Sequence, residues 1–554
     1  RLPIGVLTRQ ETVSDAELAQ LQTVKRDIVL LLDGDGQAYV PAAAGVAGQM
    51  ISRTVLSGDI ESFPEGWQAL DGMRAVIWNG LDLRGMNAQQ LAALRNYVAM
   101  GGHFVVAAGS TVGRLRESPI AEALPVVLGA GSPLAMPLGK RVTGLDTPAA
   151  VIAPCAPKAD ARVLAMEGGV PLVVRSAFGA GTVTFCAFSI SDPSLRVRGT
   201  DGSKPMEARN AFLNAIIDAP RAAADLRVNG GIRESAEPYL RNAAKRSIPP
   251  RSAIAAFVAV YVLTVGPLVY FLFRGFRRLE LAWVAVPFIA ALFFAFVWNE
   301  VFSSHERRLS GNDCSIALAR AGMQEGAQLT MTNWLSSGGG HFRLEWPSVQ
   351  TTVAPLRGRS RLDALSRIAM RRESLAFQED GGRVTVRDFR VGFSDTRLVE
   401  SASPFLLPGA ITLSLNAGWA DSAAVMLGSL KNMSGWRLGN AALFTYAAEG
   451  NARGWLLSET DLLRGKVVRQ KAASDDAFAV TTAMCRRFGL QGAALARIGD
   501  LAVQDALNGG METVLLAIEA QSVQTVAVDG QPVPSNPLTF LCIGVDAPAT
   551  IPGF

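Results

Sequence analysis

The fold of the first half is decided by the stretch Ala75–Ala108, AVIWNGLDLRGMNAQQLAALRNYVAMGGHFVVAA. Its two ends, Ala75 to Trp78 and Phe104 to Ala108, are short apolar runs closed by turn residues, the pattern of strands buried on both faces. Between them Asn87 stands where a helix cap belongs. Leu91, Leu94 and Val98 then recur on one face, and Gly101-Gly102 supplies the stop. Strand, helix and strand within about 35 residues make a βαβ unit, which implies a doubly wound sheet.

Outward from this unit, Ile28 to Leu32 followed by Asp-Gly-Asp-Gly reads as an earlier strand. Leu172 to Phe178 and Thr182 to Phe188, joined by Gly-Ala-Gly, read as a hairpin. A helix around Glu207 to Ile217, with Phe212 and Ile216 as its apolar pair, closes the unit. The polar stretch 226–251, ending at Pro249-Pro250 and Arg251, is expected to be a linker.

The chain has 554 residues, 49% of them hydrophobic and 18% charged. That balance disfavours a long disordered or nucleic-acid-binding chain and asks for a membrane segment. Ser252 to Phe273 is 22 residues without a charge, and Leu281 to Phe302 is another 22 with only Glu300. At 1.5 Å per residue each makes a helix of about 33 Å, enough for a hydrocarbon core of about 30 Å. Tyr261, Tyr270, Trp283 and Trp298 lie towards segment ends, as interfacial aromatics do. The short connection Arg274–Glu280 makes the pair a hairpin, with both flanking parts in one compartment. Arg274, Arg277 and Arg278 in the loop compete with Lys245, Arg246, Arg251, Arg307 and Arg308 outside it, so charge alone leaves the orientation open.

The net charge of +5 makes no basic field over so long a chain, and only eight of the 53 basic residues are Lys, a compositional bias. The first residue is Arg, so a processed or omitted segment is expected ahead of it. Five Cys offer no disulfide framework and no zinc spacing.

After residue 310 the period changes to two. Ser315–Arg320, Gln328–Leu335, Phe342–Trp346, Val384–Phe389 and Ile411–Leu415 alternate between Gly-rich turns, which suggests a β-sandwich. A helix from Asp475 or Asp476 to Phe488, with acids at its start and Arg486 and Arg487 at its end, opens a last α+β segment. Arg357, Arg359, Arg361, Arg367, Arg371 and Arg372 cluster within sixteen residues and are candidates for contact with anionic lipid or an acidic partner.

Three stretches together carry a resemblance: Phe63–Gly109, Gly169–Leu195 (GVPLVVRSAFGAGTVTFCAFSISDPSL), and Tyr261–Ala290 with its Val265-Gly266-Pro267-Leu268-x-Tyr270 motif. They resemble a family of bacterial membrane proteins that couple a class I glutamine amidotransferase-like domain to a transmembrane segment. The resemblance covers residues 1 to about 305, and Gly428–Gly450 more loosely. It implies soluble domains outside the cytoplasm, a cytoplasmic loop at Arg274–Arg278, and neighbours of the AAA ATPase and von Willebrand-domain kind.

Catalysis by such a domain needs a Cys on a tight strand-to-helix elbow and a His to activate it. After Phe104–Ala108 the sequence is Gly109-Ser110-Thr111, with no Cys, and Ala108 and Val112 stand where a serine elbow needs Gly. Of the three His, His103 starts the same strand, about 20 Å away at about 3.3 Å per residue. No catalytic residue and no metal or cofactor is therefore assigned. Open α/β sheets bind ligands at the carboxyl edge, which makes Asp33, Asp35 and Ser110 the candidates for a residual pocket.

The expected organisation is a flavodoxin-like or amidotransferase-like α/β domain (1–225), a linker (226–251), a two-helix transmembrane hairpin (252–303), a β-rich sandwich-like domain (304–470) and an α+β segment (471–554). The expected function is a non-catalytic binding or scaffolding subunit at the bacterial inner membrane, its partners the bilayer and other membrane-complex subunits, with no nucleic acid and no identified small-molecule substrate. A degenerate amidotransferase-like hydrolase using Ser110, and a membrane-bound sensor with cytoplasmic domains, are the alternatives.

Overall fold

The computed structural model describes residues 25–546, apart from 35–36, 43–50, 144, 147, 196–202, 219–229, 246–250, 276–281, 299–308, 337–338, 349, 356–375, 381–382, 393–394, 421–422, 437, 439, 447–451, 458–465, 472–475, 491–492, 509, 522–524 and 534. The first half is built on a seven-stranded sheet. In chain order its strands are β1 (Lys25–Asp33), β2 (Ile51–Ser57), β3 (Met73–Asn79), β4 (His103–Ala107), β5 (Arg162–Glu167), β6 (Val170–Phe178) and β7 (Gly181–Cys186). They lie in the order β2-β1-β3-β4-β7-β6-β5. The first five in that order run parallel, whereas β6 pairs antiparallel with β7 and β5. The sheet is mixed because Gly179-Ala180 is a two-residue turn, and only antiparallel strands can be joined so tightly.

The βαβ unit forms around helix α1 (Ala88–Ala99). Asn87 Oδ1 accepts from the Gln90 amide at 2.8 Å, and Gln90 Oε1 accepts from the Asn87 amide at 3.0 Å. This reciprocal capping box satisfies two amides that the first turn leaves free. The helix stops at Gly101, whose φ of +99° suits glycine. Leu94, Tyr97 and Val98 are buried against the sheet, while Leu91 is half-buried. Gly181 has no room for a side chain, because a Cβ there would meet the carbonyls of Val98 and Gly102. Helix α2 (Ser203–Ile217) buries Phe212 and Ile216 as its pattern predicts.

The expected linker is instead mostly helix. α3 (Gly230–Lys245) buries Ile232, Ala236 and Leu240, spaced at four residues, while Glu234 and Arg241 are exposed. Polar composition hid this stripe because it is one residue wide.

The second half centres on an eight-stranded sheet. Its strands are β8 (Leu309–Arg320), β9 (Glu325–Ser336), β10 (Thr352–Pro355), β11 (Asp395–Leu406), β12 (Ala441–Tyr446), β13 (Ala452–Leu456), β14 (Met511–Glu519) and β15 (Ser535–Asp546), in the order β10-β11-β9-β8-β15-β14-β12-β13. β15 lies between β8, to which it is parallel, and β14. The segments 304–470 and 471–554 thus share one sheet, a long-range pairing with no local signature.

On one face of that sheet, Cys314, Ile316 and Leu318 meet α3 and two further helices, α4 (Ala477–Arg487, capped by Asp476) and α5 (Ala493–Asn508). On the other face, smaller sheets cover two apolar clusters, one around Trp334 and Phe342 and one around Leu413 and Leu541. The halves pack together. Trp67 Nε1 donates to Gln350 O at 2.6 Å, Arg233 pairs with Glu400 at 2.6 Å, and Asn333 Nδ2 donates to Leu240 O at 3.0 Å.

Between α3 and β8 come two apolar helices. The first runs through Arg251–Leu263, a π-helical turn Thr264–Leu268 and Val269–Gly275. Pro267 lacks an N–H and breaks the regular ladder there, while Thr264 Oγ1 donates to Val260 O at 2.7 Å. Ala255–Gly275 is long and apolar enough to cross a membrane, at 21 residues and a mean hydropathy of 2.2. The second helix, Ala282–Trp298, has 17 residues and its apolar run is Trp283–Ala295. At 1.5 Å per residue 17 residues span about 26 Å, short of a core of about 30 Å. One helix among the described residues therefore meets the length of a span where the sequence predicted two; the ends of the second expected span, at 281 and 299–302, lie outside the described residues. The two helices touch through Phe293, whose ring centroid lies 5.4 Å from that of Phe257 and 5.2 Å from that of Tyr261.

Candidate functional site

The carboxyl ends of β1, β3, β4 and β7 form the edge at which a doubly wound sheet binds ligands, and strand order reverses between β1 and β3. Here that crevice is closed by the chain itself. Gly34 N donates to Asn79 O at 3.0 Å, and a Cβ on Gly34 would lie 2.8 Å from Gly80 O. The turns after β1 and β3 are thus in backbone contact. Thr111 packs on Gly80 from the other side.

The organising residue is Asn79, the last of β3 and fully buried. Its Nδ2 donates to Asp33 Oδ1 at 2.8 Å and to Ser191 Oγ at 2.6 Å. Its Oδ1 accepts from Ser189 Oγ at 2.9 Å and from the Ile190 amide at 3.0 Å. Four hydrogen bonds use its full capacity and tie the loop after β7 to the end of β1. Sequence reasoning passed over this residue, since an Asn before Gly at a strand end reads simply as a turn.

Asp33 is therefore a brace: besides Asn79 it accepts the Ala38 amide on Oδ2 at 2.8 Å. Asp35 lies outside the described residues, as do Arg357, Arg359, Arg361, Arg367, Arg371 and Arg372. Ser110 is exposed, in the turn Gly109–Thr111 that leads into the short helix Val112–Arg116. The residue at the sharp bend is Gly109, with φ +55°, and a Cβ there would lie 2.8 Å from Ser189 N. The position from which an elbow raises its nucleophile accordingly has no room for a side chain.

His103 begins β4, at the opposite end of the strand. It is fully buried, with Nε2 3.0 Å from Ile216 O and Nδ1 2.7 Å from Thr182 Oγ1. Because a carbonyl only accepts, Nε2 carries a proton, and neither nitrogen serves Ser110. The thiols are equally withdrawn. Burial pushes Cys186, Cys314 and Cys542 up to about 12 and Cys155 and Cys485 up to about 11, far from the thiolate that reacts. Among the described residues no three His, Cys, Asp or Glu side chains gather as a metal site.

No family model matches the chain, and no curated protein matches it. Among solved structures, a cytoplasmic protein from Salmonella typhimurium is similar at 15% identity, over 34% of this chain and 97% of that one, with a TM-score of 0.25. A beta-galactosidase from Rahnella sp. R3 is similar at 17% identity, over 36% of this chain and 32% of that one, with a TM-score of 0.21. Likenesses at these scores carry no argument about the chain's activity or partners.

Proposed function

We propose that the chain is a membrane-anchored, non-catalytic binding or scaffolding subunit of a bacterial cell-envelope assembly. One observation carries the reading: the sheet edge where chemistry would sit spends its polar groups on its own turns, through Asn79, and leaves no side chain at the Gly109 bend. In this reading the α/β half is a degenerate amidotransferase-like domain. The apolar helix Ala255–Gly275 is the anchor, and Ala282–Trp298 returns beside it as the second helix of a hairpin. Trp283 at 86% exposed and Phe271 at 66% are solvated by lipid rather than water. The soluble halves lie outside the cytoplasm and meet other subunits, with the arginines 357–372 against anionic headgroups or an acidic partner.

Two measurements test this. Serine- and cysteine-directed activity probes are expected to leave the native protein unlabelled; specific labelling lost in Ser110→Ala would establish the hydrolase alternative instead. Extraction of membranes with alkaline carbonate is expected to leave the chain in the pellet. An impermeant maleimide should then miss a Cys introduced at Arg277 in intact cells and reach it in lysates; labelling in intact cells would reverse the orientation.

A further inference from the structure

We propose that one end of the second half lies on the bilayer, and that Arg387 and Arg390 at that end bind the phosphates of anionic lipid headgroups. The inference rests on the reading of Ala255–Gly275 as a membrane anchor. Strand pairing defines the end. Leu309, the first residue of β8, lies opposite Ser336, the last of β9, and Ser336 lies opposite Asp395, the first of β11. The strands Gly340–Trp346 and Arg383–Val391 respectively start and finish there, since Gly339 N donates to Ser336 Oγ at 3.0 Å and Gly340 pairs with Val391. Both connections to the apolar helices belong to this end. The chain arrives from the second helix at Leu309, while α3 meets Asn333 through the Leu240 carbonyl and then stops at Lys245. At about 3.6 Å per residue the chain from Lys245 reaches Arg251, the start of the first apolar helix, within about 22 Å. The opposite end of β9, at Glu325, lies about 36 Å away along the strand. The tether is shorter than the strand, so it selects the end.

The outer face at this end presents free cations because its carboxylates are taken. Phe342 pairs with Phe389 and Leu344 with Val386, so Arg387 and Asp388 together oppose Arg343 in a bulge, with Asp388 at φ +59°. Val386 and Phe389 are buried on either side, which leaves Arg387 and Asp388 both on the outer face. His341 stands opposite Arg390, and its Nδ1 meets Asp388 Oδ1. A carboxylate only accepts, so that nitrogen carries the proton and occupies the acid. Farther along the face Glu345 pairs with Arg343 at 2.9 Å and with Arg383 at 3.5 Å. Arg387 and Arg390 are exposed, and among the described residues no acid pairs with either. Sequence charge gathers at the same end: β10 runs toward it and stops at Pro355, the next strand begins at Ala376 opposite Arg387, and the sequence between holds six Arg against Asp363 and Glu373. A guanidinium matches phosphate bidentately. Lipid is the occupant because the tether holds headgroups beside these arginines at high effective concentration, whereas an acidic protein must arrive by diffusion.

The test places the full chain in nanodiscs of phosphatidylcholine containing a nitroxide-headgroup lipid, with phosphatidylglycerol or without it. A fluorophore on Gly392→Cys reports this end and one on Gln324→Cys the far end, both at exposed positions. Fluorescence lifetimes then give the ratio of quenched to unquenched protein. Phosphatidylglycerol should raise that ratio at residue 392 and leave it unchanged at 324. Each basic group near an anionic surface is worth about fivefold, so Arg387→Gln combined with Arg390→Gln should lower the ratio in phosphatidylglycerol about thirtyfold. Arg387→Lys combined with Arg390→Lys keeps the charge and should hold it within about threefold. Equal quenching at the two labelled positions would overturn the orientation. A ratio at 392 that ignores phosphatidylglycerol, or that the Gln pair leaves unaltered, would overturn the headgroup contact and leave these arginines to an acidic protein. The anchor reading fails separately, by release of the chain in alkaline carbonate; retention there with equal quenching defeats this inference alone.

Discussion

Replacing Asn79 by Ala is expected to loosen the carboxyl edge of the first sheet more than any other single truncation there. The side chain makes four hydrogen bonds of 2.6–3.0 Å inside a fully buried site. Alanine strands the Ile190 amide, which is 2% exposed as a residue, at about 1–3 kcal/mol. It also removes the bond to the Asp33 carboxylate, of the class worth about 1.5–3 kcal/mol. Since the losses share one network they do not add fully, and about 3–5 kcal/mol is the expected total. The chain has two packed halves, so global unfolding need not be two-state and hydrogen exchange is the suitable assay. Each 1.4 kcal/mol is a factor of ten, so amides of Gly34, Gly109 and Ile190 should exchange from about 10²-fold to about 4 × 10³-fold faster, with β8 and β9 unchanged. Asn79→Asp, which keeps the shape but removes both donors, should lose at least as much. Exchange within threefold of the wild type at these amides would refute the reading of Asn79 as the brace of this edge.

Three further outcomes follow from the same geometry. Burial raises the Asp313 carboxyl above its usual value, against the hydrogen bonds of Thr332 and Ser535 that favour its charged form. A raised folded-state value means stability present below the unfolded value and lost as pH rises through the folded one; Asp313→Asn should therefore raise the melting temperature at pH 7, with the gain shrinking towards pH 3, and an equal gain at both would exclude the carboxyl as its source. Gly109→Ala should cost about 2–4 kcal/mol, from the left-handed φ and the clash with Ser189 N, whereas Gly113→Ala, with nothing within 4 Å, should be neutral or stabilising by calorimetry. All five native thiols should resist maleimide at pH 8 and react once the chain is denatured; fast labelling of any native Cys would contradict the raised values.

Much of the first sheet was legible because its signals are local. Asn87 and Gln90 cap α1 through contacts three residues apart, and the runs around Val76 and Val105 are apolar on both faces because both are covered. The α3 helix was missed because its Ile232, Ala236, Leu240 stripe is narrow among charged neighbours. Of the site candidates, Asp33 and Ser110 were found as types but not as roles: a carboxylate at a strand end looks the same in sequence whether it faces a ligand or, as here, an asparagine 46 residues away. Asn79 itself carried no signal, since its worth comes from two other segments converging on it.

By itself the sequence determined the periodic elements, the apolar helix after residue 251 and the lack of a Cys or Gly-x-Ser-x-Gly elbow, because period, hydropathy and motif spacing are properties of neighbouring residues. Tertiary structure alone decided that β15 sits between β8 and β14, that the turns after β1 and β3 seal the ligand crevice, and that Arg95 reaches Glu325. Those facts depend on which distant segments meet, and the free energy that selects the meeting comes from burial shared across the whole core rather than from any one stretch.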